Sequence, residues 1–284
     1  MTETFGQALR RWRRLRRRTQ LDLAFTAGYS QRHLSFLESG RSRPSRAAVL
    51  VLADALDVPL RERNALLHAA GFAPGYSAEP LDSARLRPAL EALRAVAEAH
   101  RPFPALIVDR AWNVRGGNAN AFALVERYAA RPPGADGTLN ALALCVDPEG
   151  LRPRIRNWGP FMVRLLTQFR LELAREDDPA LRALVERIEA DPEFRAAQRR
   201  GAEPSGAPVA TLLLEADGRA LALFTLHSNL AVARDATLAD LRVETFFPAD
   251  ATTRAALLAL DGDLAGSGAG AAPGRRSSGD GDPR

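Results

Sequence analysis

The sequence predicts two domains of different fold class, an all-α domain at the N-terminus and an α+β domain after it. The chain has 284 residues, and one domain usually takes about 100–200. Apolar residues recur at helical spacing through residues 1–72, whereas residues 104–117 and 209–227 contain short apolar runs and tight turns, as antiparallel strands do. Residues 73–84, A-P-G-Y-S-A-E-P-L-D-S-A, have the composition of a linker. We therefore predict domains at 1–72 and 85–260.

Five helices are expected in the first domain. Phe5, Leu9 and Trp12 share one helical face, Ser45 and Pro59 mark helix starts, and Gly71 follows as a stop signal. The helices are predicted at residues 3–18, 20–27, 30–40, 46–56 and 59–70. The inward positions are expected to be Leu21, Leu23, Ala24, Leu34 and Leu37 in the second and third helices, and Ala47, Leu50, Val51 and Ala55 in the fourth.

Residues 19–40, T-Q-L-D-L-A-F-T-A-G-Y-S-Q-R-H-L-S-F-L-E-S-G, have the layout of a helix-turn-helix. Thr19 and Asp22 form a T-x-x-D capping box, Gly28 supplies the sharp turn, and Ser30 can cap the next helix. A helix-turn-helix places its second helix in the major groove of DNA. This stretch therefore predicts a DNA-binding domain.

Positive charge is concentrated in the same domain. The formal net charge of the chain is +5, but residues 1–72 hold 13 arginines and six acidic residues, so they carry +7 and the remainder −2. A positive field of this kind favours a polyanionic partner such as DNA. We interpret the arginine-rich run at residues 10–18 as a source of phosphate contacts, the alternative being a solvated helix face.

Residues 5–72, and above all the string S-F-L-E-S-G-R-S-R-P-S, resemble the helix-turn-helix module of the XRE family. The resemblance implies a five-helix, lambda-repressor-like fold in which the start of the second helix binds a phosphate, the start of the third contacts bases, and the next loop follows the DNA backbone. Glutamine can pair with adenine and arginine with guanine in the major groove. Glu38 is expected to be a structural anchor. The DNA-binding residues implied are Gln20, Ser30, Gln31, Arg32, Ser35, Arg41 and Arg43.

The second domain is predicted as a small antiparallel sheet flanked by helices. Strands and a tight turn at Asp109-Arg110 are expected over residues 104–117, and a hairpin is expected around Asp217-Gly218. A last strand is expected at 241–247, an apolar stretch covers 140–146, and residues 261–284 have the Gly, Ser, Asp and Arg content of a disordered tail. Helices are predicted at 86–99, from Asn118, and at 157–174, 179–188 and 191–200.

This half resembles the ligand-binding domain of the MmyB-like regulators. The matching strings are P-A-L-I-V-D-R-A-W-N-V, the helix opening at Asn157-Trp158, and D-A-T-L-A-D-L-R-V-E-T-F-F-P-A-D. The resemblance implies a PAS-like fold that holds a long-chain fatty acid or a similar lipid. The chain departs from the family at Gly116-Gly117, where the family carries an aromatic or aliphatic residue, and this departure predicts a reshaped pocket wall.

An acyl chain needs an apolar tunnel and one or two polar groups for its head. The aromatic stripe of the helix at 157–174 can supply the tunnel, and Arg156, Asn157 or Arg164 can hold a carboxylate. The alternative for each position is an ordinary core residue. The candidate ligand-binding residues are Trp112, Asn118, Asn157, Trp158, Phe161, Arg164, Leu165 and Phe169.

Several classes of protein are disfavoured. The H-E-x-x-H, G-x-S-x-G and P-loop signatures are absent, so we expect no enzyme. Cys145 is the only cysteine, which excludes an internal disulfide and argues against a zinc cluster. No apolar run approaches the roughly 20 residues that cross a membrane, and no secretory signal is present, so we expect a cytoplasmic protein with no membrane partner. No cofactor or metal is expected, although PAS-like domains can also hold flavin or haem.

These observations predict a transcription regulator that binds duplex DNA as a homodimer, because one recognition helix covers too few base pairs for specificity. Its second domain is expected to sense a small hydrophobic ligand, with a fatty acid as the expected class. The alternative is a DNA-binding protein whose second domain mediates protein contacts or dimerisation without a small ligand. We expect the dimer contact in the second domain or in the helix at 86–99.

Overall fold

The computed structural model describes residues 3–130, 139–175, 179–201, 209–216 and 218–266. Over residues 3–72 it contains five helices, as predicted. The capping box is present, since the Asp22 amide donates to Thr19 Oγ1 at 3.1 Å and the Thr19 amide donates to Asp22 Oδ2 at 3.0 Å. Gly28 ends the second helix at a φ of 70°, which favours glycine. The helices are α1 (Phe5–Leu15), α2 (Gln20–Ala27), α3 (Gln31–Glu38), α4 (Arg46–Ala55) and α5 (Leu60–Ala69).

The core of the helical domain differs from the prediction in two helices. Leu23, Leu34 and Leu37 are buried as expected, but Leu21 on α2 is 61% exposed. In α4 the prediction of the buried face was wrong, because the helix turns a different side toward the core. The α4 residues that are buried are Ala48, Val49, Leu52 and Ala53, whereas Ala47 and Val51 are exposed and Leu50 and Ala55 lie between. Because residues 47–53 are apolar without interruption, periodicity could not choose the face, and packing against the other helices decided it.

Residues 73–84 connect the domains and are fixed at several points. The Asn64 side chain of α5 accepts from the amides of Gly75 at 2.9 Å and Tyr76 at 3.0 Å. Ser77 pairs with Asp235 in an isolated bridge, and the Asp235 carboxylate accepts from the Glu79 amide at 3.1 Å. The predicted linker is therefore tied by hydrogen bonds to both halves of the chain.

The second half is α+β, as predicted. Among the described residues, five strands form an antiparallel sheet in the order β2-β1-β5-β4-β3. The strands are β1 (Ala105–Val108), β2 (Val114–Gly117), β3 (Leu212–Ala216), β4 (Arg219–Asn229) and β5 (Arg242–Pro248). The helices are α6 (Arg87–Ala99), α7 (Ala119–Tyr128), α8 (Ala141–Val146), α9 (Trp158–Arg175), α10 (Pro179–Ala190), α11 (Pro192–Arg200), α12 (Ala236–Ala239) and α13 (Ala251–Gly266).

The two faces of the sheet carry different layers. Helix α6 covers one face through Leu93 and Ala97, which pack with Ala105, Ile107 and Val243. Helices α7 to α11 enclose the opposite face, where the larger apolar core lies. Side chains alternate between the two faces along each strand. Consequently the even-numbered residues of β1 and β5 point toward the larger core, and a site built there is shielded by helices.

Three parts of this domain differ from the sequence-based expectation. The apolar stretch at 140–146 is helix α8, capped by Asn140. Helix α13 was not predicted, and it extends through residues 261–266 of the expected tail. Residues 267–284 of that expected tail lie outside the described residues. Helix α13 contributes buried Leu257, and its Thr253 hydroxyl accepts from the Ala222 amide on β4 at 2.9 Å, so tertiary contacts hold it on the sheet.

Candidate DNA interface and ligand cavity

The outer surface of α3 presents the predicted base-contacting residues together. Gln31 and Arg32 are exposed in the first turn, and Ser35 lies half-buried one turn later. Ser30 caps the helix by accepting from the His33 amide at 3.1 Å. Arg41 and Arg43 are exposed in the loop that follows. Six of the seven predicted DNA-binding residues therefore lie on α3, at its cap or in the adjoining loop. The seventh, Gln20, begins α2 and is half-buried.

Phe36 is a feature of this surface that the sequence analysis missed. The guanidinium of Arg32 lies 5.4 Å from the centre of its ring and that of Arg41 lies 6.0 Å away. Cation–π contacts of this kind restrain an arginine without using its hydrogen-bond donors. Arg32 and Phe36 are four residues apart, so their pairing on one helix face could have been inferred from the sequence.

A buried charge cluster holds α1, α2 and α3 together around Glu38. The Glu38 carboxylate accepts from Arg13 Nε at 2.6 Å and Nη2 at 2.9 Å, from Gln20 Nε2 at 2.8 Å and from Arg10 Nε at 3.4 Å. Its side chain is fully buried, and that of Arg13 is 12% exposed. Glu38 is thus bonded as the structural anchor that the sequence predicted. Gln20 donates one amide N–H to this cluster, so its second amide N–H is not used by the cluster.

Acidification is expected to weaken the helical domain through Glu38. Burial raises the pKa of Glu38, but hydrogen bonds from Arg13 and Gln20 outweigh it and hold the pKa below its ordinary value of 4.5. A carboxyl with a lowered folded pKa stabilises the fold above its unfolded pKa, and that stabilisation is lost as the pH falls through the folded value. We expect the difference in unfolding free energy between wild type and Glu38→Gln to shrink below pH 4.5. Urea unfolding followed by circular dichroism across this range measures it, and a difference that does not change with pH would contradict the prediction.

Several arginines of α1 serve the fold as well as the charge of this surface. Arg16 donates from Nε to the Leu56 carbonyl at 2.7 Å, and Arg11 pairs with Glu3 at 3.1 Å. Arg14 and Arg17 are exposed. Arg13 and Arg16 form hydrogen bonds within the protein. The interpretation of residues 10–18 as phosphate contacts therefore applies to the exposed arginines.

A cavity of about 120 Å³ lies between the larger-core face of the sheet and helices α7, α8 and α9. A single water needs about 10–15 Å³ of such space, so the cavity has room for a small molecule. Apolar side chains form most of the wall. They include Leu106, Leu124, Leu142, Leu151, Leu212, Leu214, Leu223 and Phe246. An apolar wall of this extent is typical of a site for a hydrophobic ligand.

Four of the eight predicted ligand-binding residues line this cavity, namely Trp112, Phe161, Leu165 and Phe169. The other four, Asn118, Asn157, Trp158 and Arg164, are not among its lining residues. Asn118 caps α7 and donates to the Ala97 and Phe103 carbonyls at 2.9 and 2.8 Å. Asn157 joins α9 to β3, donating to the Thr211 carbonyl at 2.8 Å and accepting from the Leu213 amide at 3.0 Å. These asparagines satisfy backbone groups at element ends, a role that spacing alone does not distinguish from ligand binding.

Trp158 and Arg156 also make contacts within the protein. Trp158 is buried, donates from Nε1 to the Cys145 carbonyl at 2.6 Å and is covered by the Arg152 guanidinium at 3.9 Å. Arg156 pairs with Glu215 at 3.0 Å on the surface. The Gly116-Gly117 step, expected to reshape the pocket wall, is not among the cavity-lining residues. A Cβ at Gly117 would lie 2.7 Å from the Ala105 carbonyl oxygen, so close strand packing explains that glycine.

Trp112 stands on a strained turn at the edge of the cavity. Its φ is +66°, an unusual value for a bulky residue, and its ring packs edge-on against Phe169 at 5.2 Å. Asp109 fixes the turn by accepting from the amides of Ala111 at 2.9 Å and Asn113 at 3.0 Å. The Arg242 guanidinium stacks on the tryptophan ring at 4.1 Å. Strain of this kind persists only where the surroundings hold it, and it concentrates at functional sites.

Comparison with protein families gives two matches. The family described as "MmyB-like transcription regulator ligand binding domain" matches residues 89–260, and the family described as "Helix-turn-helix" matches residues 9–63. The chain belongs to the MmyB-like transcription regulators. A comparison with curated proteins gave no significant match. Both families are those of regulators and not of enzymes, and the helix-turn-helix match precedes the ligand-binding match along the chain, which is the predicted order.

Among the described residues no helix has the length and apolar character needed to cross a bilayer. The same residues contain no group of three or more histidine, cysteine, aspartate or glutamate side chains arranged to hold a metal ion.

The two domains of the regulator meet through charged residues of α5. Arg61 donates from Nε to Asp240 Oδ2 at 2.9 Å, and Glu62 accepts from Arg110 Nη1 at 3.4 Å. Burial raises the pKa of Asp240, an effect that Arg61 and Arg110 oppose and the charge of Asp109 reinforces. Arg110 lies in the turn that carries Trp112, and Asp240 precedes β5. The contacts therefore join the DNA-binding domain to segments that also border the cavity.

Proposed function

We propose that this MmyB-like regulator binds a specific duplex DNA sequence as a homodimer, and that an apolar ligand in the cavity changes its DNA affinity. The observation that carries the proposal is the turn at residues 109–113. Its Trp112 lines the cavity and its Arg110 contacts Glu62 of the DNA-binding domain. A ligand that favours one position of this turn would bind the two states of the protein differently, which is the condition for regulation.

In the proposed complex α3 lies in the major groove. Gln31 and Arg32 contact base edges, since both are exposed in the first turn of α3. Ser30 and Ser35 belong to the same base-contacting surface, Arg41 and Arg43 position the domain on the backbone, and Gln20 donates its remaining amide N–H to a phosphate. A homodimer would place two such helices about 34–36 Å apart on a two-fold symmetric site. Exposed Val96 on α6, 48% accessible, is consistent with a dimer contact on that helix.

The proposed ligand is a fatty acid or a similarly apolar molecule. The cavity wall supports this, because moving an alkyl chain from water to a site lined by leucine and phenylalanine is favourable, by roughly 0.8 kcal/mol per buried CH₂. A second domain that acted only through protein contacts would have no need of this space. The test therefore begins with the ligand.

The first experiment is native mass spectrometry of the purified full-length protein, followed by denaturing extraction and lipid analysis. A co-purifying apolar molecule, together with specific retention of a genomic fragment at physiological salt, is the expected result. Retention of no specific fragment would refute DNA recognition. An empty protein that no apolar compound stabilises would refute the ligand and favour the protein-interaction alternative.

Coupling between the sites is tested by neutralising the α5 contacts. We expect the double variant Arg61→Gln, Glu62→Gln to retain DNA binding and ligand binding, but to lose most of the effect of ligand on DNA affinity. The reason is that these side chains join the DNA-binding domain to Asp240 and Arg110. Fluorescence anisotropy with and without ligand measures the effect. Arg170→Gln, which removes an exposed ion pair with Glu189, is the matched control and should leave the effect intact. If the ligand changes the DNA affinity of the double variant as much as that of the wild type, coupling through the α5 contacts is contradicted.

A further inference from the structure

We propose that Glu244 makes the cavity selective for an apolar molecule whose polar end donates hydrogen bonds and carries no negative charge, that is, an alcohol or an amine. The inference rests on the ligand-binding function proposed above and specifies the chemistry of the ligand head. Its basis is a buried carboxylate on the cavity wall that the sequence analysis did not select.

Glu244 is placed by the central strand of the sheet. On β5 it lies opposite Leu106 of β1 and opposite His227 of β4. This register points it to the face that the cavity occupies, and its side chain forms part of the wall. The side chain is 9% exposed, so the carboxylate has little access to bulk water.

The Glu244 carboxylate accepts few hydrogen bonds from the protein. The carboxylate contacts His227, whose Nε2 lies 3.5 Å from Oε1. A good N–H···O bond spans about 2.7–3.2 Å, and an ionised carboxylate can accept about four hydrogen bonds. Among the described residues the side-chain carboxylate of Glu244 has no other hydrogen bond or ion pair. A buried carboxylate with unused acceptor capacity is costly unless another donor reaches it. A ligand in the cavity can supply that donor.

The other groups around the cavity do not supply it. Among the described residues that line the cavity are Thr225, with its hydroxyl, and Cys145, with its thiol, but no arginine. Burial, with a smaller effect of the Glu244 charge, raises the pKa of Cys145 to about 12, so the thiol stays neutral. Arg242 shares the strand with Glu244, but its guanidinium is stacked on Trp112.

The charge of Glu244 determines which ligand heads are favourable. A fatty-acid carboxylate would bring a second negative charge beside a buried one, where the low dielectric makes repulsion strong. A hydroxyl or ammonium group would instead donate a charge-assisted hydrogen bond to Glu244 while its alkyl part occupies the apolar wall. Selectivity for a donor head departs from the fatty-acid expectation that the family resemblance raised.

The test compares three ligands of equal chain length, decanol, decylamine and decanoate, on the full-length protein at neutral pH. Binding is measured by calorimetry and by the fluorescence change of the tryptophans, since Trp112 lines the cavity. We expect decanol or decylamine to bind at least tenfold more tightly than decanoate, because a hydrogen bond to a charged group is stronger than one between neutral groups. In Glu244→Gln the discrimination against decanoate should fall at least tenfold. Glu215→Gln, which neutralises a 42% exposed side chain on β3, is the matched control and should preserve it.

The outcomes separate the two proposals. If decanoate binds as tightly as the other two compounds, or more tightly, the inference about Glu244 is overturned and the ligand-binding function stands. If none of the three binds, the ligand-binding function fails and the inference fails with it. Should Glu244→Gln not fold, the order of affinities in the wild-type protein still decides the question.

Discussion

Replacement of Glu38 by alanine is expected to lower the free energy of unfolding of the helical domain by about 3–5 kcal/mol, the usual cost of removing one partner from a buried ion pair. Glu38 accepts hydrogen bonds from Arg13, Gln20 and Arg10, which come from two other helices. Without the carboxylate, Arg13 would remain in a largely buried position with its charge uncompensated. The destabilisation should therefore separate α1 and α2 from α3.

The measurement is urea unfolding of the full chain, followed by circular dichroism and by hydrogen exchange resolved on peptides of α1 to α3. Glu3→Ala is the control, because Glu3 pairs with Arg11 on the surface and its side chain is 42% exposed. Exposed pairs contribute about 0–1 kcal/mol. Equal effects of the two substitutions would show that the Glu38 cluster does not hold the helices together.

Replacement of Arg32 by alanine is expected to reduce affinity for the specific DNA site by about 5–160-fold, corresponding to roughly 1–3 kcal/mol for a bidentate base contact. Arg32 is exposed at the start of α3, and Phe36 restrains its guanidinium at 5.4 Å. Affinity for a scrambled duplex should fall much less, since that binding depends on phosphate contacts. The substitution should therefore reduce specificity more than it reduces overall binding to DNA.

Fluorescence anisotropy with the specific and scrambled duplexes at one fixed salt concentration measures both affinities. Arg94→Ala is the control, because Arg94 is an exposed arginine on α6 of the other domain and its loss removes the same net charge. Equal losses on the two duplexes would assign Arg32 to the backbone and contradict the proposed base contact.

Much of the DNA-binding domain was predictable because its signals are local. The capping residues Thr19 and Ser30, the glycine turn at Gly28 and the leucine spacing each act within a few residues. The role of Glu38 as an anchor also followed from the sequence, but its partners did not, since Arg13 lies 25 positions away and reaches it only when α1 packs on α3. The prediction of the buried face of α4 was wrong for a similar reason. A continuously apolar helix shows no preferred buried side in the sequence, and its packing against neighbouring helices decides which side is buried.

The ligand site was less predictable. The aromatic stripe of α9 located part of the wall, since Phe161, Leu165 and Phe169 follow helical spacing. Asn118 and Asn157 were predicted to bind the ligand, but they do not line the cavity. Their side chains instead form hydrogen bonds with backbone groups at the ends of helices and strands. Glu244 went unnoticed because a single glutamate in a strand carries no signal until the strand order is known.

The sequence by itself determined the two-domain order, the helix-turn-helix, the concentration of positive charge on the first domain and the α+β character of the second, because capping, turn chemistry and periodicity are local properties. Only the tertiary structure decided which buried groups meet. The sheet order β2-β1-β5-β4-β3 brings Leu106, Glu244 and His227 side by side, and the turn at Trp112 joins the cavity to α5. These residues lie more than 100 positions apart at their extremes, and only the folded chain brings them within contact distance.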